Sequence, residues 1–254
     1  MEDTTALRKL LDRDEFKFSE NLDRKTQGLV FDRRTIDAIF QVFKEFSIRS
    51  LDFPISSGKE SIVFKVIGNK KPQVMKIFKM STLKFQNIQK YIDGDPRFKN
   101  YRKTRGNIVY LWTRKEFANL KLCEDHGIRV PKPYGFRENV LIMGYIGTKI
   151  SPALKLKDVI DERKEKYLTG AMMEYRSMVE KAGIVHADFS EYNILCHMGR
   201  SYIIDLGQAV SNEHPMAAQF LKRDMENMKS YCERNHIKFK EEWIPHLRKS
   251  GEDE

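Results

Sequence analysis

Between residues 32 and 46 the apolar positions fall three and four apart, as Ile36, Ile39, Phe40, Phe43 and Phe46 in FDRRTIDAIFQVFKEFSI. That repeat belongs to a helix buried on one face, with Asp32 or Thr35 as its cap. From Asp52 to Met80 the style changes to short β-rich runs, SIVFKVIG and PQVMKIFKM, bounded by Gly, Pro, Asn and Ser. They predict a hairpin or small antiparallel sheet. A further helix is expected to start at Thr113, which has capping-box spacing to Glu116 in TRKEFANLKLCEDHG, and to end at Gly127. YGFRENVLIMGYIG reads as two strands turning at Glu138 and Asn139. A long helix with Leu168, Ala171, Tyr175, Met178 and Ala182 on one side stops at Gly183, and residues 216–235 read helical again. Helices, small sheet, helix, strands, long helix, hairpin and helix, in that order, predict an α+β fold in two lobes.

Residues 79–108 interrupt this patterning. Lys79, Lys84, Lys90, Arg97, Lys99, Arg102, Lys103 and Arg105 stand against only Asp93 and Asp95, with Phe85, Tyr91, Phe98 and Tyr101 among them. Such a stretch is either a mobile, solvated insertion or a surface that stacks bases and neutralises phosphates. Charge needs no partner to stay in water, so the solvated insertion is the expectation.

Composition adds a direction. With 254 residues, 41% hydrophobic and 32% charged, the chain has the make-up of a globular protein, and no apolar run reaches the length of a membrane span. MEDTTALRKL is too charged for a secretory signal. The net charge of +10 predicts attraction to polyanions. Cys123, Cys196 and Cys232 are an odd, scattered set that suits a reducing compartment, so the cytoplasm is expected. Cys123 and His126 with Cys232 and His236 can be written as a zinc quartet, but neither half has a knuckle-like turn, and separate thiols are the simpler reading.

The candidate chemistry lies in HADFSEYNILCHMGRSYIIDLG. Two greasy runs flank Met198-Gly199-Arg200, and Asn193 lies six positions before Gly199 while Asp205 lies six after. A hairpin pivoting on Gly199 sets the two opposite each other, with Cβ atoms ~4.5–5.5 Å apart. Two oxygen-bearing side chains that close suit one Mg²⁺, which fills its remaining positions with waters and phosphates. Asp188, five residues upstream of Asn193, can face whatever the metal holds. Each of these residues alone is ordinary turn chemistry. Together they compose a phosphoryl-transfer constellation.

His186, Asp188 and Asn193 as H-x-D-x-x-x-x-N, followed by Asp205 and Gly207 as D-x-G, resemble the catalytic and metal-binding motifs of protein kinases. The fuller strings ISSGKESIVF, KEFANL, HADFSEYNIL, IDLGQAV and HPMAAQFLKRD resemble the RIO family of atypical serine/threonine protein kinases and ATPases, over about residues 28–236. Helices ahead of ISSGKES, without a winged-helix pattern, resemble its first, archaeal-type subgroup. The resemblance implies a two-lobed, protein-kinase-like fold. It would have a helical extension at 1–50, a β-rich N-lobe at 51–143 with the flexible basic insertion 79–108, and a mainly helical C-lobe at 144–254.

The resemblance further implies ATP with Mg²⁺, or Mn²⁺ in its place. Asp188 would be the catalytic base, and Asn193 and Asp205 the metal ligands. Lys76 would grip the α- and β-phosphates and pair with Glu116, although capping its own helix explains Glu116 equally well. Ser56, Ser57, Gly58, Lys59 and Glu60 match the phosphate-covering loop, with one glycine where ordinary kinases have three. Backbone groups of Gly144 and Ile146 would bind adenine, with Met143 lining the pocket.

Two departures bear on the substrate. Ala187 replaces the arginine with which ordinary kinases dock a phosphorylated activation loop. Between Gly207 and Glu254 there is too little chain for a usual activation segment and peptide-binding helices, so a truncated kinase is expected. Limited autophosphorylation on serine, ATP hydrolysis and an aspartyl-phosphate on Asp205 are what the resemblance implies, although a carboxylate engaged with Mg²⁺ must change partners to attack. The family's task in maturing the small ribosomal subunit implies rRNA and ribosomal proteins as partners, with 79–108 as an RNA contact and neither membrane nor DNA. Two other readings stand beside it: a nucleotide-gated RNA- or ribosome-binding module, and a small-molecule phosphotransferase, which usually adds a long helical substrate lobe.

Overall fold

The computed structural model describes residues 17–18, 32–68, 71–80, 85–98 and 104–247. The expected helical extension is thus described only at 17–18 and from 32 onward, and the terminal SGEDE lies outside the described residues. Two compact units emerge. Unit 1 comprises residues 1–85, 102–117 and 133–145, and unit 2 comprises 86–101, 118–132 and 146–254. The cut near residue 145 lies close to the expected lobe boundary, whereas 86–101 and 118–132 group with unit 2.

Unit 1 is built on a six-stranded sheet. Its strands are β1 (Lys17–Phe18), β2 (Ile48–Ser57), β3 (Ser61–Gly68), β4 (Pro72–Phe78), β5 (Pro133–Arg137) and β6 (Val140–Gly144), in the order β1-β2-β3-β4-β6-β5. The runs SIVFKVIG and PQVMKIF pair antiparallel from Ser61↔Phe78 to Ile67↔Pro72, as their patterning predicts. Helix α1 (Arg33–Glu45) presents Ala38, Val42 and Phe43 to Ile62, Phe64, Met75, Ile77, Val140 and Ile142, closing one core. Its cap is Asp32, whose Oδ1 accepts from the Thr35 N–H at 2.8 Å. Thr35 itself is buried, and its hydroxyl accepts from the Asn139 amide at 2.9 Å. That amide also donates to the Phe78 carbonyl at 2.7 Å, so the turn at Glu138 and Asn139 ties the β5–β6 hairpin to α1 and β4.

In unit 2, helices α4 (Arg163–Glu180) and α5 (Ala217–Arg234) accompany two small sheets. One has the order β10-β9-β7, from β7 (Leu154–Lys155), β9 (Ile194–His197) and β10 (Arg200–Ile203); the other pairs β8 (Ile184–Val185) with β11 (Val210–Ser211). Leu168, Ala171, Tyr175, Met178 and Ala182 are all buried, as their spacing requires. Cys123, Cys196 and Cys232 are buried free thiols, and burial pushes them up to about 12, about 12 and about 11. No described helix is long and apolar enough to cross a membrane.

Two expectations are corrected. Helix α3 (Arg105–Asp125) begins well before Thr113, and the Thr113 hydroxyl donates to the Val109 carbonyl at 2.9 Å. A Thr that bonds back to i−4 mimics a capping box in sequence while sitting inside a helix. The basic segment is also partly folded: helix α2 (Phe85–Ile92) buries Ile88, Tyr91 and Ile92, and Phe98 is buried beyond it. Tyr91 packs on Phe220 with ring centroids 5.3 Å apart, so Tyr91 and Phe98 are core residues rather than exposed stacking platforms. Lys84, Lys99, Tyr101, Arg102 and Lys103 lie outside the described residues, as do the side chains of Phe85 and Arg105.

Candidate active site

In unit 1, Lys76 occupies the middle of β4, opposite Val63 on one side and Leu141 on the other. It is 5% exposed and Glu116 is 1% exposed. The Lys76 ammonium donates to both Glu116 oxygens at 2.8 Å. Glu116 lies inside α3, away from its N-terminus, which removes the capping alternative and leaves the pairing. A buried ammonium without such a partner is costly.

Ser56 and Ser57 end β2, paired to Val63 and Ile62, and residues 58–60 form the exposed link from β2 to β3. Lys79 holds both ends of that link: its N–H donates to the Glu60 carbonyl at 2.8 Å and its ammonium to the Gly58 carbonyl at 2.7 Å. A Cβ on Gly58 would meet only the Ser61 carbonyl, at an ordinary 3.7 Å. The loop's own packing does not demand glycine there; a bare backbone suits close approach by a phosphate. Met143 is buried in β6, and Gly144 pairs with Gln73. In unit 2 the Ile146 carbonyl accepts from the Ala153 N–H at 3.0 Å, so its N–H is the group suited to a base edge.

Unit 2 holds Asp188, Asn193 and Asp205. β9 and β10 pair from Arg200↔His197 to Ile203↔Ile194 around a two-residue turn, Met198-Gly199. The Ile204 N–H donates to the Asn193 carbonyl at 3.0 Å. Asn193 therefore faces Ile204, and the expected pairing with Asp205 is off by one, because the pivot falls between Met198 and Gly199. Asp205 follows with φ 64° and ψ 58°, an exposed, left-handed residue that leaves the strand line.

Asn193 Nδ2 donates to the Asp188 carbonyl at 2.9 Å and more weakly to its Oδ2 at 3.4 Å. Gln208 Nε2 donates to the same Oδ2 at 3.3 Å. Burial raises the Asp188 carboxyl above its ordinary value, and the nearby Asp205 charge raises it further, while His186, Arg223 and the Asn193 hydrogen bond pull it down. Asp188 and Asp205 thus sense each other electrostatically despite the shifted register. With Nδ2 committed to Asp188, Asn193 offers Oδ1, and with the Asp205 carboxylate this is an all-oxygen donor pair that suits a hard cation such as Mg²⁺.

Asp224 is a residue that the sequence reading missed. Buried in α5, it accepts from the Ala187 N–H at 2.8 Å, the Phe189 N–H at 3.0 Å and the Tyr175 hydroxyl at 2.8 Å. Arg223 donates to the Ala187 carbonyl. Ala187 is held at φ 64°, a conformation costly for a residue with a Cβ. His186 Nε2 pairs with the Ile204 carbonyl at 3.0 Å, so the loop bearing Asp188 is gripped on both sides. The available signal was an Asp four residues after Phe220 and four before Met228, on the buried stripe of a helix.

A family model described as the RIO domain matches residues 62–244. The RIO-type serine/threonine-protein kinase Rio1 of Haloferax volcanii is 39% identical over 235 residues, covering 91% of this chain and 81% of that protein. Its namesake in Thermoplasma acidophilum is 48% identical over 178 residues, covering 69% and 92%. Among solved structures, the Rio2 kinase from Chaetomium thermophilum superposes with a TM-score of 0.62 at 22% identity, over 84% of this chain and 68% of that one. A complex of that kinase, described as ADP/Mg²⁺-phosphoaspartate, gives 0.60 at 23% identity, over 84% and 66%. At that identity the likeness is one of fold.

Proposed function

The chain belongs to the RIO family, and from that premise we propose that it is an atypical serine/threonine protein kinase that uses ATP with Mg²⁺, also hydrolyses ATP, and acts in the cytoplasm on the maturing small ribosomal subunit. The observation on which the chemistry rests is the Asp188–Asn193 contact, which turns one amide so that a carboxylate base and an oxygen ligand are presented from one short loop.

Each residue then has a task. Lys76, neutralised and aimed by Glu116, supplies positive charge to the α- and β-phosphates, and backbone groups of Ser56 to Glu60 cover them. Asn193 and Asp205 would hold Mg²⁺, whose charge would screen the phosphates. Asp188 accepts the proton of a serine hydroxyl as that oxygen bonds to the γ-phosphorus, while the bond from phosphorus to the β–γ bridging oxygen breaks and ADP leaves. In the hydrolytic branch an Asp205 carboxylate oxygen, once it has changed partners, takes the place of the serine. Water then cleaves the acyl phosphate, releasing inorganic phosphate and restoring the carboxylate. The phosphoaspartate named for the Rio2 complex supports that branch.

Incubation with γ-labelled ATP and Mg²⁺ tests the reading in the parent, Asp188→Ala and Asp205→Ala. Acid-stable label that resists hydroxylamine and needs Asp188 is expected for phosphoserine; hydroxylamine-sensitive label that needs Asp205 is expected for the acyl phosphate. Absence of ATP turnover, with or without ribosomal subunits, would overturn the enzyme reading in favour of a nucleotide-gated binding module. The ribosomal partner is supported by the net charge of +10. Binding to rRNA should weaken steeply as salt rises, and salt-insensitive or undetectable binding would count against that partner.

A further inference from the structure

Residues 206–209 join Asp205 to β11, and β11 pairs with β8, Val210 opposite Val185, just ahead of His186 and Asp188. This short segment and β11 are held by side chains from two distant parts of unit 2. Asp95, 1% exposed, accepts from the Ser211 N–H at 3.4 Å. The same carboxylate receives Arg97 Nε at 2.9 Å, Arg97 Nη2 at 2.7 Å and the Arg97 N–H at 3.2 Å. The remaining arm of the guanidinium, Nη1, donates to Asn119 Oδ1 at 2.9 Å. Asn119 is fully buried, and its Nδ2 donates to the carbonyls of Leu206 at 2.8 Å and Ala209 at 3.1 Å.

The chemistry fixes the direction of this chain of contacts. An arginine only donates, so the Asn119 oxygen must face Arg97 and its NH₂ must face the two carbonyls. Both carbonyls belong to buried residues, where an unmet acceptor is costly; that of Leu206 also accepts from the Ala209 N–H at 3.2 Å, which closes the turn that Asn119 spans. The first of them lies one residue after Asp205.

We propose that Asp95, Arg97 and Asn119 form a positioning brace that fixes the backbone after Asp205 and thereby holds its carboxylate for a divalent cation. The inference rests on the functional reading above, in which Asp205 is a metal ligand. It gives the basic segment a different task from RNA contact: Arg97 works inward. It also supplies a fixed, internal hold for the segment after the metal residue, in a chain whose Ala187 cannot dock a phosphorylated loop.

The test is the affinity of the full chain for ADP, measured by calorimetry in EDTA and across a Mg²⁺ titration. Asn119→Asp keeps the partner of Arg97 but turns an acceptor toward the two carbonyls; Arg97→Ala removes the link; Arg97→Lys keeps a charge beside Asp95 without the fork. Asn119→Asp and Arg97→Ala should bind ADP in EDTA within about twofold of the parent, while the Mg²⁺ midpoint rises about tenfold or more, with Arg97→Lys in between. An unchanged midpoint in both variants overturns the brace, as does an equal loss of affinity with and without Mg²⁺. Circular dichroism shows whether each variant folds, and if Asn119→Asp does not, the two Arg97 variants decide. A parent that responds to Mg²⁺ beside variants that respond identically overturns the brace alone, whereas a parent indifferent to Mg²⁺ overturns the functional reading as well.

Discussion

Lys76 and Glu116 form a buried, two-pronged ion pair, both carboxylate oxygens lying 2.8 Å from one ammonium. Removing either partner strands the other charge in the core of unit 1. Lys76→Met and Glu116→Leu should therefore each cost about 3–5 kcal/mol, whereas the double replacement should recover most of the loss, because two apolar side chains leave no stranded charge. Phosphotransfer should stay abolished in all three. Denaturant unfolding around the full cycle checks this, and a double variant as unstable as the sum of the singles would show that the two charges are not coupled.

Asp224 makes a pH prediction with a definite sign. Burial, its largest influence, raises the carboxyl above 3.8, against pulls from His186, the two backbone N–H groups and Tyr175. The folded chain then holds this proton more tightly than the unfolded one. The group's contribution to stability is greatest below 3.8 and declines as pH climbs through the folded value. Asp224→Asn should remove that slope. At neutral pH it should cost about 1–3 kcal/mol, since one amide oxygen cannot satisfy three donors, and slow phosphotransfer by about ten- to a hundredfold as Ala187 to Phe189 loosen. Unfolding followed from acid to neutral pH in both proteins separates the two effects.

These residues also show how far the chain could be read directly. Periodicity was sufficient for α1, the β3–β4 hairpin and the long helix α4, because each must bury one face and its apolar spacing states which. It failed at Thr113, where helical spacing and cap spacing coincide, and at Tyr91 and Phe98, where surrounding lysines and arginines hid an apolar stripe. The Lys76–Glu116 contact joins residues 40 apart, and only the fold could choose between it and a cap. Asn119 lies in KEFANL and Asp224 in HPMAAQFLKRD, strings that carry the resemblance, but neither string discloses their work, which is done on backbone groups supplied by distant segments.

The one-residue register correction yields a stability test. Met198 and Gly199 have φ of 48° and 74°, so both central positions of the turn are left-handed, the conformation favoured by Asn-Gly. Met198 is 84% exposed and contributes no packing that would offset the strain. Met198→Asn should stabilise the chain by about 0.5–1 kcal/mol, and Gly199→Ala should cost about 1–2 kcal/mol. An added Cβ at Gly199 would come no closer than 4.0 Å to the Lys166 ammonium, so that penalty is one of backbone alone. Thermal melts should move in opposite directions for the two variants; if Gly199→Ala is neutral, the turn is not the one described.

As the proposed base, Asp188 would have to accept a proton. Its carboxyl is raised first by burial and then by Asp205, and is lowered by His186, Arg223 and the Asn193 amide. Replacing a lowering charge, as in Arg223→Gln, should move its titration upward. Replacing the raising charge, as in Asp205→Asn, should move it downward, though not to the ordinary value, since burial remains. Because the proposed base would act as a carboxylate, an upward move would extend the acid range over which it is blocked, and activity should fall off at higher pH in Arg223→Gln than in the parent. Carboxyl-carbon NMR of Asp188 reads both shifts without turnover, so Asp205→Asn can be scored even when inactive. Shifts of the same sign in the two variants would mean that Asp205 and Arg223 do not act on Asp188 through their charges.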